Sequence, residues 1–266
     1  MNINIAHRQL ACRGQVIALH ASGADASQWR HLSEALGNGY AVLTPEHYGS
    51  ESSGPWTGEH VFTLADEAAR TIALIDECDD KVHLVGHSYG GGVALYVALS
   101  RPDRIASLAL YEPSAFHLLR QMGEAGVQAY AEIQGVARRV SRCIATGDYR
   151  AGVADWNSHG AWKAMRPAVQ NTLTRWAPKA PLDFQALIDD PTPAKAYAAL
   201  NVPALIVRGE HAPLPTRVIS ERLIEILPKG RLKIVAGAGH MGPLTHASEV
   251  ARLIAQHIST AQANKW

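Results

Sequence analysis

Six short apolar runs, separated by stretches with helical periodicity, constrain the fold of this 266-residue chain more than any other feature. Each run is almost continuously apolar, which is typical of strands in a parallel sheet covered on both faces. The runs span residues 15–20, 40–45, 81–86, 105–111, 203–209 and 231–237. Strands that alternate with helices predict an α/β fold, with a mostly parallel sheet between two layers of helices.

Two of the intervening segments show the apolar spacing of amphipathic helices. The residues that recur at this spacing are Leu64, Ala68, Ile72 and Ile75 in the first segment, and Val250, Leu253, Ile254 and Ile258 in the second. Both segments are therefore predicted to pack one face against the sheet.

The alternation stops between residues 114 and 201, where the sequence is helix-like throughout. We predict a core formed by residues 1–113 and 202–266, with residues 114–201 as a helical cap inserted after the strand that ends at Glu112. A structureless loop of that length is improbable inside a compact protein. The segment holds half of the six tryptophans, which either pack its own small core or line a pocket beneath a lid: Trp156, Trp162 and Trp176.

The composition excludes several classes of function. Hydrophobic residues make up 47% of the chain and charged residues 18%, and the net charge of +1 gives no basic surface for nucleic acid or an anionic membrane. Cys12, Cys78 and Cys143 are scattered and odd in number, which indicates reduced thiols and offers no zinc spacing. The start of the chain lacks the layout of a signal peptide, and no run of about 18 apolar residues is present. We expect a cytoplasmic protein with no metal, membrane or nucleic-acid partner.

The residues after the third apolar run have the pattern of a catalytic nucleophile. Residues 86–90 read G-H-S-Y-G, which is G-x-S-x-G between a predicted strand and a predicted helix. The turn holds Ser88 in a strained conformation, so the positions two before and two after it must be small, as Gly86 and Gly90 are. The N-terminus of the next helix directs N–H groups and a positive dipole end at the serine. The alternative interpretation is a glycine-rich turn with an exposed serine.

With this motif in this setting, the chain resembles the α/β-hydrolase superfamily, in particular its serine esterases and lipases, over nearly its whole length. The resemblance implies that His240, in "GAGH" before the last helix, is the base that takes the serine proton and returns it to the leaving group. Of the thirteen histidines, only His240 has the right chain order and loop. His20 is expected to orient its own loop, His87 is the variable residue of the motif, and His246 lies at a helix start.

The resemblance also implies an oxyanion hole made of two backbone N–H donors. One donor is Tyr89, the residue after the nucleophile. The other is Ser22, in the loop after the first strand, where Ala21 stands in place of the family's usual glycine. The Ser22 hydroxyl either contacts substrate or caps the helix that starts before "SQWRHL".

The acid departs from the family's usual pattern, because the usual position is Ala212, whose side chain cannot accept a hydrogen bond. The family's second location is the end of the strand after the nucleophile helix, which is Glu112 here. Neighbouring strand ends lie side by side, so we predict that Glu112 reaches His240. Glu210 is the alternative acid, and a structural role remains open for either glutamate. Glu46 is expected to stabilise the loop after its strand.

The resemblance implies a serine hydrolase that acts on a small ester-like acyl substrate through Ser88, His240, Glu112 and an acyl-enzyme, without a cofactor. Trp162 and Met241 are candidate walls for a partly apolar pocket. A carbon–carbon bond hydrolase of the ring-cleavage type is an alternative, because "HASGADASQW" vaguely resembles a loop of those relatives. A non-catalytic ligand-binding protein is another, supported by the missing aspartate. A serine nucleophile argues against dehalogenase or epoxide-opening chemistry.

Overall fold

A computed structural model describes residues 14–157, 162–163 and 166–263, with the backbone alone for residues 155–157. Within those ranges six parallel strands form one sheet in the order β2-β1-β3-β4-β5-β6. The strands are β1 (Gly14–Leu19), β2 (Tyr40–Leu43), β3 (Val82–His87), β4 (Ile105–Tyr111), β5 (Ala204–Gly209) and β6 (Gly230–Val235). Each coincides with an apolar run to within one or two residues, so the predicted α/β fold class is confirmed.

The four inner strands, β1, β3, β4 and β5, are almost entirely buried on both faces, which explains why they read as continuous apolar runs, whereas the edge strands β2 and β6 are partly exposed. Successive side chains of a strand point to opposite faces. In β1, Ile17 and Leu19 pack into one apolar cluster, whereas Val16 and Ala18 pack into the cluster on the other face. All six residues of β3 are buried, so the nucleophile motif begins at the centre of the core.

Helices cover both faces of the sheet. In the described residues they are α1 (Arg30–Leu36), α2 (Leu64–Asp76), α3 (Tyr89–Ser100), α4 (Gly123–Ala145), α5 (Tyr149–Asn157), α6 (Pro167–Trp176), α7 (Ala180–Asp189), α8 (Leu214–Ile226), α9 (Gly242–Thr245) and α10 (Ala247–Ala263). The two predicted amphipathic segments are α2 and α10. In α2, Thr63 and Asp66 form a capping box that fixes the first turn. Within the described ranges, the chain has no helix with the length and apolar character that a membrane crossing requires.

The described chain between β4 and β5 contains helices α4 to α7 and short 3-10 turns, but no strand. We call residues 114–201 the helical insertion. It packs on the sheet, because Leu187 and Trp176 join the apolar cluster that contains Ile17 and Leu84. Within the insertion, Phe184 of α7 stacks on Phe116, with ring centroids 6.4 Å apart. The Cys12 position and the Trp156 side chain lie outside the described residues, whereas Cys78 and Cys143 are free thiols.

The carboxyl ends of the central strands deliver polar residues to one edge of the sheet. β1 leads into the loop that holds Ser22, β3 leads into Ser88, and β4 leads into Glu112. The loop after β6 brings His240 to the same edge. In open parallel sheets this edge is where ligands bind.

Candidate active site

Ser88 lies on a sharp turn between β3 and α3, with backbone angles φ 54° and ψ −118°. A positive φ is strained for a residue with a side chain. Backbone hydrogen bonds hold it there: Ser88 N–H donates to Tyr111 O at 3.0 Å, and Ser88 O accepts from Gly91, Gly92 and Ser114 at 2.9, 3.1 and 3.0 Å. The sequence places this strain at the one residue whose side chain must project from the turn.

The two flanking glycines are required by close approach of the backbone. A Cβ atom on Gly86 would lie 2.5 Å from Gly90 O, and one on Gly90 would collide with the carbonyl oxygens of Leu19 and His20. The small residues predicted around the serine therefore answer a steric requirement.

His240 joins the serine to a buried carboxylate. Its Nε2 atom lies 2.9 Å from Ser88 Oγ, and its Nδ1 atom lies 2.7 Å from Glu112 Oε2. A carboxylate only accepts hydrogen bonds, so Nδ1 carries the proton and Nε2 is left to accept the proton of the serine hydroxyl. Ser88 is 4% exposed, whereas 24% of the His240 side chain is exposed, so the imidazole lies on the more open side of the group.

Two side chains to which the sequence assigned no role in the site hold the loop of His240. His87 Nε2 donates to His240 O at 2.8 Å, and the Tyr111 hydroxyl donates to Gly239 O at 2.8 Å. Burial and the nearby His240 hold the pKa of His87 well below its ordinary value, so His87 acts as a neutral donor. The variable residue of the nucleophile motif thus positions the base.

Glu112 is fully buried at the end of β4 and has a positive φ of 41°. Gly209 N–H donates to Oε1 at 2.9 Å, and Thr216 Oγ1 donates to Oε2 at 2.8 Å. Together with the imidazole, these donors compensate the cost of burying the carboxylate. Thr216 belongs to the segment that follows β5, so that segment holds the glutamate although it lacks the usual acid.

The alternative acid does not reach the imidazole. Glu210 is exposed, and its Oε2 atom accepts from Gly237 N at 2.8 Å. Ala212 follows in a turn, with its N–H donating to Gly209 O at 3.3 Å. Of the carboxylates considered in the sequence, Glu112 is the one that contacts His240.

The two predicted oxyanion donors come from two separate loops at the carboxyl ends of neighbouring strands. Tyr89 is the first residue of α3, and Ser22 lies in the turn after β1. Among the described residues, neither backbone N–H has a hydrogen-bond acceptor. The helix-cap interpretation of the Ser22 hydroxyl is wrong: that hydroxyl donates to Asp183 at 2.7 Å, and Asp25 caps the following helical turn.

Ser114 is a further polar contact of the nucleophile that the sequence did not reveal. Its Oγ atom lies 3.3 Å from Ser88 Oγ, and its N–H donates to Ser88 O at 3.0 Å. Because the Ser88 proton is directed at His240, the Ser114 hydroxyl is the donor of this pair. Ser114 is 3% exposed, and it lies two residues beyond Glu112 without a motif to mark it.

The remaining predicted residues have mainly structural contacts. Glu46 accepts from Ala26 N at 2.8 Å and pairs with His20 at 3.1 Å, as expected of a loop-stabilising acid. Trp162 packs in a small apolar cluster of the helical insertion. Met241 is half-buried next to His240, and its place in a pocket stays a prediction. Within the described ranges, no group of three or more His, Cys, Asp or Glu side chains is arranged to hold a metal ion.

The sequence matches the alpha/beta hydrolase family over residues 16–253. A putative carbamate hydrolase, RutD of Variovorax paradoxus, is 26% identical over 94% of both chains. A pimeloyl-[acyl-carrier protein] methyl ester esterase of Aeromonas hydrophila is 27% identical over 90% of this chain and 93% of that one. A 2-hydroxymuconate semialdehyde hydrolase of a Pseudomonas species is 24% identical over 93% of this chain and 88% of that one.

One relative is matched over a part of its length. This chain spans 27% of the dihydrolipoyllysine-residue acetyltransferase component of the acetoin cleaving system of Cupriavidus necator, with 34% identity over 38% of this chain. Among solved structures, MenH from S. aureus superposes with a TM-score of 0.75 over 96% of both chains, at 18% identity. The likeness to MenH shows the fold alone, because the two sequences are 18% identical. The family is shown by the match to the alpha/beta hydrolase family over residues 16–253. The protein is a hydrolase of the alpha/beta hydrolase family.

Proposed function

We propose that this protein is a serine hydrolase that cleaves a small ester-like acyl substrate through an acyl-enzyme on Ser88. One observation carries the proposal: an unbroken hydrogen-bonded chain runs from Ser88 Oγ through both nitrogens of His240 to the buried carboxylate of Glu112. A hydroxyl, an imidazole and a carboxylate in this order form an activated nucleophile.

In the first half of the reaction, Ser88 Oγ attacks the acyl carbon while its proton passes to His240 Nε2. Glu112 stabilises the imidazolium that forms, because its Oε2 accepts the Nδ1 proton at 2.7 Å. The carbonyl oxygen becomes an oxyanion, which accepts hydrogen bonds from the Ser22 and Tyr89 N–H groups. Collapse breaks the bond to the leaving alkoxide, which takes the proton from Nε2.

In the second half, water attacks the acyl-enzyme. The water oxygen bonds to the acyl carbon while His240 Nε2 takes a proton from the water. The Ser22 and Tyr89 N–H groups bind the oxyanion that forms in this second step. Ser88 Oγ then leaves with the proton from Nε2, and the products are a carboxylic acid and the free enzyme. When Ser88 Oγ is not bonded to the acyl group, the Ser114 hydroxyl, 3.3 Å away, donates a hydrogen bond to it. This hydrogen bond stabilises the negative charge that develops on Ser88 Oγ as it attacks or leaves.

The helical insertion acts in this proposal as a cap over the site, with residues 1–113 and 202–266 as the core. Support comes from the burial of Ser88 and from the contact of Asp183, in α7, with the Ser22 hydroxyl. A cap that contacts the oxyanion loop favours small substrates and excludes bulk water from the reacting atoms.

A fluorophosphonate probe tests the nucleophile without knowledge of the substrate. We expect the intact protein to gain the mass of one phosphonyl group, located on Ser88 by peptide mapping, because only an activated serine displaces fluoride at a useful rate. Ser88→Ala is the matched variant, and it should gain none. A wild-type protein that stays unlabelled, or labelling of Ser88→Ala at the wild-type rate, would overturn the proposal.

The relatives matched over most of their length differ in their substrates, which are a carbamate, a methyl ester and 2-hydroxymuconate semialdehyde by their names. The last two separate ester hydrolysis from the alternative of carbon–carbon bond cleavage. We expect short-chain aryl esters to be turned over faster than a dienol-type diketone of similar size. The measurement is kcat/KM for both substrates with the same preparation, with Ser88→Ala as the blank. If the protein turned over the diketone and none of the esters, the function would be carbon–carbon bond hydrolysis and the proposal of ester hydrolysis would be wrong.

The acid is tested by comparing two glutamates. In Glu112→Gln the side-chain amide donates towards Nδ1, which forces the proton onto Nε2 and removes the acceptor for the serine proton. We expect kcat to fall by roughly 10³-fold or more. Glu210→Gln is the matched control, because Glu210 contacts a backbone N–H and not His240, and its kcat should stay within about threefold of wild type.

Thermal unfolding of both variants shows whether the loss concerns folding or chemistry. If Glu112→Gln retains wild-type turnover, or if Glu210→Gln loses as much, then Glu112 is not the acid.

A further inference from the structure

A buried polar network lies beside the proposed oxyanion hole, and the mechanism above does not use it. Its charged members are Glu67 of α2, Asp183 of α7, and Lys179 of the turn that precedes α7. Each is at most 4% exposed. We call the three charged groups, together with the Ser22 and Tyr89 hydroxyls, the lysine network.

Lys179 joins the two carboxylates. Its Nζ atom lies 2.7 Å from Glu67 Oε2 and 2.5 Å from Asp183 Oδ1. From each carboxylate a hydrogen bond leads on to a residue of the proposed oxyanion hole, and Glu67 Oε1 also accepts from Tyr48 N at 3.0 Å and pairs with His47 at 3.3 Å. The Tyr89 hydroxyl donates to Glu67 Oε2 at 2.7 Å, and the Ser22 hydroxyl donates to Asp183 Oδ2 at 2.7 Å.

The buried charges of the network shift one another's pKa values. Burial raises the pKa of Asp183 above its ordinary value although Lys179 opposes the rise, and the nearby Glu67 adds to it. Burial raises the pKa of Glu67, but His47 and Lys179 outweigh it and hold that pKa far below its ordinary value. Burial lowers the pKa of Lys179, yet the Asp183 and Glu67 carboxylates raise it above its ordinary value. Removing one partner of such a buried group leaves an uncompensated charge, which is destabilising.

The ends of the lysine network are the two residues of the proposed oxyanion hole. β1 and β3 are paired as far as Leu19 and Gly86, three residues before Ser22 and Tyr89. Among the described residues, no hydrogen bond joins Ser22 directly to Tyr89. Their side chains are tied to one ammonium group through two carboxylates, so the lysine network is a second connection between the two N–H donors, beyond the sheet.

Packing adds a second constraint from the helical insertion on the same loop. Gly23, which follows Ser22, has φ +70°, and a Cβ atom there would lie 2.5 Å from Leu173 Cδ2 and 3.0 Å from Trp176 Cε3. These side chains belong to α6, directly before Lys179. The insertion therefore contacts this loop in two ways: apolar side chains pack on it, and Asp183 accepts a hydrogen bond from the Ser22 hydroxyl.

We propose that Lys179 and Asp183 are positioning residues, which set the oxyanion hole through the side chains of Ser22 and Tyr89. The inference rests on the proposed function, because an oxyanion hole matters only if acyl transfer takes place on Ser88. It assigns the helical insertion a part in the chemistry, in addition to covering the site: the two N–H donors are correctly spaced only when the insertion is docked.

An oxyanion hole stabilises the transition state more than the bound substrate, so its distortion lowers kcat and leaves KM nearly unchanged. A loss of substrate binding would raise KM instead, and a loss of fold, which would lower the apparent kcat by reducing the fraction of active enzyme, is detected by thermal unfolding. This difference separates a positioning role from a merely structural one.

Ser22→Ala is the main test, because it keeps the backbone N–H and removes only the hydroxyl that donates to Asp183. We expect kcat for an aryl ester and the phosphonylation rate of Ser88 both to fall by about ten- to a hundredfold. KM should stay within about threefold of wild type. Ser22→Thr retains a hydroxyl and should recover most of the rate.

A matched control breaks another contact between the insertion and the rest of the chain. Arg175 of α6 pairs with Glu51 at 3.5 Å, and both side chains are exposed. An exposed pair contributes little, so Arg175→Gln should keep the wild-type phosphonylation rate. A rate loss in Arg175→Gln equal to that in Ser22→Ala would overturn the proposal, because any disturbance of the insertion would then suffice.

A double-variant comparison tests whether Asp183 acts through Ser22. If it does, Asp183→Asn in a Ser22→Ala background should cost little beyond Ser22→Ala, whereas independent effects would multiply. The affinity of a trifluoromethyl ketone matched to the ester should fall by the same factor as kcat, because its adduct places an oxyanion in the hole. Thermal unfolding accompanies each variant, and Ser22→Ala carries the test if Asp183→Asn does not fold.

The outcomes separate this inference from the proposed function. If wild-type protein is not phosphonylated, then the proposed function fails. If wild type reacts on Ser88 and Ser22→Ala reacts at the same rate, then the lysine network does not position the oxyanion hole and the proposed function stands.

Discussion

The hydrogen bond between His240 Nδ1 and Glu112 Oε2 is the interaction on which the rest of the site depends. It fixes the imidazole tautomer, and the tautomer decides whether Nε2 accepts the serine proton 2.9 Å away. The carboxylate in turn accepts hydrogen bonds from Gly209 and Thr216. Residues of β5 and α8, and Glu112 at the end of β4, therefore all contribute to the orientation of the His240 imidazole. A chain without an acid at Ala212 keeps this arrangement because the glutamate comes from the neighbouring strand.

The parallel sheet makes this exchange of strands possible. β4 and β5 run side by side in register, with Tyr111 paired to Val207, so a residue just past either strand lies at the same edge. The longer glutamate at β4 crosses to the edge of β5, where Gly209 N–H donates to it. The helical insertion reaches the same edge from above, because Asp183 and Lys179 connect it to the loop after β1 and to α3.

Local patterns predicted the strands and the nucleophile turn, because strand burial and the glycines around Ser88 are local properties of the chain. His240 and Glu112 were predicted from the resemblance to the α/β-hydrolase superfamily, which supplied the position of the base and a second position for the acid. Asp183 and Lys179 were not, because their contacts with Ser22 and Glu67 span 161 and 112 residues and follow no periodic pattern. Ser114 and Thr216 were also missed, since a lone hydroxyl beside a motif is far more often a turn or cap residue.

The proton between His240 and Glu112 can be observed directly by ¹H NMR. A proton shared between an imidazole nitrogen and a carboxylate 2.7 Å apart is strongly deshielded, and loss of the signal in His240→Ala assigns it. We expect this downfield resonance in the wild-type protein and in Glu210→Gln, and we expect it to vanish in folded Glu112→Gln. A resonance that survives in Glu112→Gln, or one that is lost in Glu210→Gln, would contradict the account.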